Sequence, residues 1–331
     1  MHESESSAEL RWHPLLRQWV GVAAARQGRP QLPEDWCPFC PGSGHVPDHY
    51  DVHLYPNDFP AFRFENPEFF PNVEPPDLEL FKTTGARGAC DVVLYSSDHR
   101  RLPAELHVDQ WVKVIELWTK RTVELFQQAD VQYVSVFENT GLAIGVTMPH
   151  PHGQIYAFPF IPPLVQTELD SAAAYQSERG SCLYCRILAG EIEDGRRLVT
   201  SNDSFVALLP FFGRFPTELQ IYSRRHFQSL ADLDDRERSQ LASILKIVRQ
   251  KFDNLYGFPM PLMMLVRQPP TKGSHGYFHF HIDFLPIQRS PTKLKYLAAV
   301  ESGCGTFLND TRAEKQAELM RNAEPRTVPG V

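Results

Sequence analysis

Glu138-Asn-Thr-Gly-Leu-Ala-Ile-Gly-Val-Thr-Met-Pro-His150-Pro-His152-Gly-Gln154 is the stretch on which the reading of this chain turns. Residues 131–137 ahead of it and 154–160 after it are rich in β-branched and aromatic residues and predict two strands. Side chains two apart in an extended segment share a face, so His150, His152 and Gln154 are expected on one side of a sheet. An isolated His-x-His is most often solvated surface. Here Pro151 removes a backbone donor that an interior strand would use, and Gly141, Gly145 and Gly153 allow close backbone approach to a bound group. A neutral imidazole is nucleophilic near pH 7 and forms a labile N–P bond, provided its second nitrogen is held by a hydrogen bond. His152 is therefore the expected carrier of a phosphoryl or nucleotidyl group.

A chain of 331 residues can bury one large core or two medium ones. Its 40 acidic and 33 basic residues leave a net charge of -7, which argues against a nucleic-acid-binding surface. An anionic ligand must then be met by a few local cations, of which Arg26 and Arg29, just past a strand expected around Trp19–Val22, come first. The first ten residues have neither the basic start nor the apolar core of a signal peptide, and no run is long enough to span a bilayer. A cytoplasmic protein without a membrane partner is expected.

Cys37-x-x-Cys40 and Cys182-x-x-Cys185 read as metal thiolates, because neither pair has the βαβ setting of a redox motif. Cys90 and Cys304 are expected in the core. The pairs belong to an ordered internal echo. Asn57-Asp58-Phe59 returns as Asn202-Asp203-Ser-Phe205, Tyr95 through His99 as Tyr222 through His226, and His150-Pro-His152-Gly-Gln154 as His279-Phe-His281-Ile-Asp283. A helix follows the third echo in each half, with apolar faces at Val108, Trp111, Ile115, Trp118, Leu125 and at Leu241, Leu245, Val248, Phe252, Leu255. Each half thus offers a closed, structural zinc set. Cys37, Cys40, His99 and His150 form the first; Cys182, Cys185, His226 and His279 form the candidate second, whose alternative is a decayed repeat with cysteines in its core. Asp283 in place of Gln154 repels a phosphate and Ile282 in place of Gly153 blocks approach, so only the first half is expected to be catalytic. The expected division is 10–165 and 166–322, with flexible tails at 1–9 and 323–331.

These motifs resemble the galactose-1-phosphate uridylyltransferase family of the histidine triad superfamily over residues 10–322. Tyr55-Pro-Asn57-Asp58-Phe59, Ala86-Arg-Gly88, Ser97-Asp-His99, Leu102-Pro103, Arg289-Ser290 and Lys295-Tyr296 add to the likeness. The resemblance implies an α+β, histidine-triad-like fold of two tandem repeats forming antiparallel sheets with flanking helices. It implies a nucleotidyltransferase: UDP-glucose gives its uridylyl group to His152, and galactose 1-phosphate then leaves as UDP-galactose. Gln154 would hydrogen-bond the phosphoryl oxygens where hydrolytic relatives have a further His, stabilising charge without offering water an acid or base. Carried over by position, Arg26 and Arg29 meet phosphates, Asn57 and Asp58 the uridine, and Phe137 and Asn139 the nucleoside and diphosphate. Thr147 stands where the family has Ser. Lys295, Tyr296 and Glu301 reach the hexose from the other subunit of a homodimer, and Phe307 stands near the place of a sugar-binding Gln.

An iron site in some members uses a Glu and three His. Glu168, His279 and His281 match it, but Met264 takes the fourth place, and a thioether is a poor ligand for ferrous iron, which counts against iron. The second Cys-x-x-Cys resembles the double-zinc arrangement of the related ADP-glucose phosphorylase. Two alternatives follow: adenylyl transfer from ADP-glucose through the same histidine, and a nucleotide hydrolase of the triad type, against which Gln154 speaks.

Overall fold

The computed structural model describes residues 8–28, 36–67, 79–146 and 148–324. Arg29, Thr147 and the outer parts of both expected tails lie outside the described residues. The arm at the start of the chain is a hairpin, β1 (Glu9–His13) and β2 (Gln18–Val22). Glu9 was expected in the tail, yet it is paired with Val22 and with Gly85, because Ala8 and Leu10 are buried beneath the hairpin.

The first half continues with β3 (His53–Pro56), β4 (Thr83–Gly85), β5 (Ala89–Leu94), α1 (Val108–Phe126), β6 (Tyr133–Thr140) and β7 (His152–Phe158). Then come α2 (Pro163–Arg179), α3 (Leu183–Asp194), β8 (Leu198–Ser201), β9 (Phe205–Leu208), β10 (Leu219–Ser223), α4 (Asp235–Tyr256), β11 (Leu262–Arg267) and β12 (His281–Pro286). The chain closes on a short hairpin, β13 (Gln288–Ser290) and β14 (Lys293–Leu294), followed by α5 (Ala299–Cys304) and α6 (Ala313–Asn322).

The two halves share one antiparallel sheet of nine strands, in the order β3-β5-β7-β6-β11-β12-β10-β9-β8. They join where β6 pairs β11, with Phe137 opposite Leu265. On one face, α1 and α4 bury the apolar stripes expected from their sequences. Trp111, Ile115 and Trp118 pack with Leu241, Leu245 and Phe252 against Val93, Val136, Ile155, Val266 and Ile282. Helix α4 starts sharply because Asp234 accepts from the Glu237 amide (2.7 Å) while Glu237 accepts from the Asp234 amide (3.1 Å), and Gly257 at φ 81° ends it.

The other face is treated differently in the two halves. Over β9 and β10 it is covered by α2 and α3, whose Val165, Leu169, Tyr184 and Leu188 pack on Val206, Leu208 and Tyr222. Helix α2 was not anticipated: its few apolar residues make no continuous stripe, so periodicity is silent there. Over β5 and β7 the corresponding layer is the loop that carries Cys37 and Phe39. Cys304, expected in the core, is exposed at the end of α5 beside Gly305, since that short helix buries none of its residues.

Trp118 is fully buried among Tyr95 and Trp111. Trp118→Ala is expected to lower the free energy of urea unfolding by about 3–5 kcal/mol, whereas Val123→Ala, exposed on the outer side of α1, should stay within about 0.5 kcal/mol.

Candidate active site

The register of β5 with β7 sets Leu94 opposite His152 and Val92 opposite Gln154. All four side chains therefore lie on the face away from α1, with Phe39 and Tyr55 packed against the two aliphatic residues. Gly153 faces the other way, and no larger residue fits: a Cβ there would lie 2.2 Å from the Tyr95 hydroxyl. The Tyr95 amide also donates to the Pro151 carbonyl (3.0 Å), so one residue fixes the strand entry by backbone and side chain.

His152 Nδ1 lies 2.7 Å from the His150 carbonyl oxygen. A carbonyl can only accept, so the proton sits on Nδ1 and the lone pair on Nε2. His152 stands between two clefts. One, of about 60 Å³, is lined by Phe39, Tyr55, Asn57, Asp58 and Gln154. The other, of about 200 Å³, lies under the loop after β6 and is lined by Asn139, Gly141, Leu142, Val146 and Pro149.

Asn57 and Asp58 hold the first cleft in shape. The Asn57 side-chain oxygen accepts from the Phe59 amide (2.9 Å), and both Asp58 oxygens accept from the Tyr55 hydroxyl (2.9 and 3.1 Å). Burial, aided by Asp58, pushes that hydroxyl up to about 12. Arg26 donates to the Phe59 carbonyl (2.8 Å), which ties the turn at Ala24–Gly28 to the same loop. Phe137 lies opposite Gln154 and stacks edge-on with Tyr156 at 5.0 Å.

Lys295, Tyr296 and Glu301 line neither cleft. Lys295 is buried and donates to Glu301 (2.9 Å) and to the Leu308 carbonyl (2.6 Å), bracing the segment that leaves Tyr296 76 % exposed. Phe307 packs on Phe215 and lies under the Arg214 guanidinium.

Both four-residue sets are assembled, each with its donor atoms within 4.8 Å of one another. A tetrahedral centre with bonds of about 2.0–2.3 Å places its donors roughly 3.3–3.8 Å apart. In the first set, Cys40 Sγ lies 3.4 Å from His99 Nδ1 and 3.8 Å from His150 Nδ1. In the second, Cys185 Sγ lies 3.2 Å from His226 Nδ1 and 3.3 Å from His279 Nδ1. The buried histidine of each set has its far nitrogen fixed: His150 Nε2 donates to the Ser96 carbonyl (2.7 Å) and His279 Nε2 to that of Ser223 (2.9 Å). Burial drives the imidazole of His150 down to about 4 and raises the Cys37 thiol to about 12, so thiolate formation there requires a bound cation.

The second half repeats the backbone device and seals it. His281 Nδ1 donates to the His279 carbonyl (2.8 Å), but its ring is stacked on Tyr222 and flanked by Tyr184, each at 5.2 Å, and is 3 % exposed. Asp283 accepts from Arg267 (2.6 Å) and Gln220 (2.9 Å). Burial would raise its carboxyl, yet Arg267 with the other donors holds it below the usual carboxylate range. Arg267 reaches on to Glu168 at 3.6 Å. Met264 sits in the helix-side core, on the opposite face of the sheet from His281. The Glu/His iron arrangement therefore does not fit these residues: one position points away, and a guanidinium already neutralises the carboxylates. Tyr95 and Arg267 are the site residues that sequence reasoning missed.

Two family models, described as galactose-1-phosphate uridyl transferase, N-terminal domain and C-terminal domain, match residues 2–162 and 168–325. The chain belongs to the galactose-1-phosphate uridylyltransferase family. The galactose-1-phosphate uridylyltransferase of Thermotoga maritima is 38 % identical over 96 % of this chain and 98 % of its own length. A solved uridylyltransferase structure superposes with a TM-score of 0.85 at 32 % identity, covering 95 % of this chain and 98 % of that one. An ADP-glucose phosphorylase from Arabidopsis thaliana with bound ADP-glucose follows at a TM-score of 0.72 and 26 % identity, over 95 % of this chain and 98 % of that one. The uridylyltransferase match thus spans the sealed half as well as the open one.

Elemental analysis of the purified protein is expected to find two transition-metal ions per chain. Cys37→Ser should remove one and Cys185→Ser the other, each lowering the thermal midpoint; full metal content in both variants would refute the ligand sets.

Proposed function

We propose that this chain catalyses UDP-glucose + galactose 1-phosphate → glucose 1-phosphate + UDP-galactose by double displacement through His152. The observation that carries this reading is the Nδ1 hydrogen bond to the His150 carbonyl, which leaves Nε2 as the nucleophilic nitrogen at the junction of two clefts. The Nε2 lone pair attacks the α-phosphorus of UDP-glucose, and the bond to the bridging oxygen breaks as glucose 1-phosphate leaves. A phosphate oxygen of galactose 1-phosphate then attacks the same phosphorus, the N–P bond breaks, and the imidazole is restored. Throughout, Nδ1 keeps its proton against a carbonyl dipole that stabilises the positive charge on the ring.

In this reading Gln154 donates its amide to the phosphoryl oxygens, and Arg26 and Arg29 meet the phosphates. Asn57 and Asp58 meet the uridine, Phe137 and Asn139 the nucleoside and diphosphate, and Thr147 keeps the hydroxyl that the family carries on Ser. The polar brace of Lys295 and Glu301 presents Tyr296 to the hexose of a partner subunit in a homodimer. Residues 10–165 act as the catalytic unit and 166–322 as its support. Cys37, Cys40, His99 and His150 would hold zinc, which would give the carbonyl that orients His152 a rigid anchor, and Cys182, Cys185, His226 and His279 would suit a second zinc. We place the enzyme in the cytoplasm, where such thiolates stay reduced.

The intact second metal set favours one competing reading, adenylyl transfer from ADP-glucose. Exchange of labelled glucose 1-phosphate into nucleotide sugar, with no acceptor present, tests both. Exchange into UDP-glucose is expected, and His152→Ala should lower it at least about 10³-fold with the fold intact. Faster exchange into ADP-glucose would transfer the assignment to the adenylyl reaction.

A further inference from the structure

Arg249 lies on α4 of the second half, yet its guanidinium pairs across the core with Glu138 on β6 of the first. The separation is 3.1 Å, and both side chains are 1 % exposed. Arg249 also donates to the Thr140 hydroxyl (3.1 Å), which in turn donates to Glu138 (2.6 Å). The pair stands directly behind the reactive strand. Phe137 is opposite Gln154 in the β6–β7 ladder, so the next step of the register brings Glu138 beside Gly153, on the face where the Tyr95 hydroxyl abuts the same glycine.

Three polar atoms of the pair, Glu138 Oε2 and Arg249 Nε and Nη1, are buried without a hydrogen-bond partner. Such atoms carry a desolvation penalty, and a buried ion pair is often no more stabilising than apolar residues of the same volume. A feature that weakens the core at one spot, under the residue that does the chemistry, is the pattern expected of function rather than stability. Burial, and next to it the Glu138 carboxylate, push the Tyr95 hydroxyl well above its ordinary range, so it meets Gly153 as a neutral group.

We infer that Arg249 is a positioning residue for His152: through Glu138, Thr140 and Tyr95 it fixes the height of the Gly153 peptide, and so the line along which Nε2 meets the phosphorus. This assigns the second half a part in the first half's chemistry, and it rests on the reading of His152 as nucleophile. The loop after β6, which starts at Gly141 against Pro261, is tied to the same anchor through Thr140.

The test is rapid-quench labelling with radiolabelled UDP-glucose alone, in which the amplitude counts competent chains and the rate constant reports alignment. Arg249→Met combined with Glu138→Leu should keep the thermal midpoint and the amplitude near those of the unmodified protein. Its saturating rate constant should fall about 10- to 100-fold, with half-saturation within about threefold. Arg249→Lys should recover part of the rate, and Glu138→Gln, which keeps volume, should lose at least about fivefold on the same reasoning. Should the double variant not fold, Glu138→Gln and Arg249→Lys decide. Unchanged rate constants in the variants overturn the positioning role while leaving the transferase reading intact. A loss confined to amplitude also overturns it, since that is what a purely structural pair would give. Absence of label from the unmodified protein overturns the transferase reading and this inference together.

Discussion

The hydrogen bond from His152 Nδ1 to the carbonyl of His150 organises this molecule, because two residues of one strand entry settle both the tautomer and the direction of an imidazole. A peptide carbonyl cannot change protonation state, so the tautomer it selects is the same at every working pH. Its direction depends on the plane of the His150 peptide, and His150 is buried, gripped at Nε2 by the Ser96 carbonyl and turned at Nδ1 toward Cys37 and Cys40. The metal set, Pro151 and Gly153 serve the same end. They keep a short extended segment from adopting any other path.

Duplication gives the fold its symmetry, and packing gives it its asymmetry. Both halves carry the His–carbonyl bond, at 2.7 and 2.8 Å, and both carry a Cys/His set. They differ in what lies over the histidine. Phe39 leaves His152 with a cleft on each side, whereas Tyr222 and Tyr184 enclose His281, and Arg267 joins Asp283 to Glu168 on α2. One shared nine-stranded sheet allows the sealed half to stiffen the open one.

Much of this was legible in the sequence, for identifiable reasons. The two metal sets could be written down because duplication supplied each ligand twice in the same order, and a tetrahedral site needs few other facts. The helices α1 and α4 declared themselves through clean apolar stripes. Helix α2, with no such stripe, did not. Nor could sequence show that Arg267 would stand between Glu168 and Asp283, or that Met264 would point to the opposite face from His281, because both depend on the register of β11 with β12. Tyr95 is the instructive case. Its place in the echo was visible, but its role follows only from a contact too close for any side chain at Gly153. The internal pairing of Lys295 with Glu301 was hidden for the same reason, since a resemblance carries positions over but not the partners they choose.

Intact-protein mass spectrometry of the metal-loaded chain mixed with UDP-glucose alone, followed by peptide mapping under alkaline conditions that preserve an N–P bond, tests the central claim most directly. The predicted result is the mass of one uridylyl group per chain, carried on His152 and discharged by galactose 1-phosphate. An adduct mapped to any other residue, or turnover of UDP-glucose with galactose 1-phosphate through no covalent species, would contradict it.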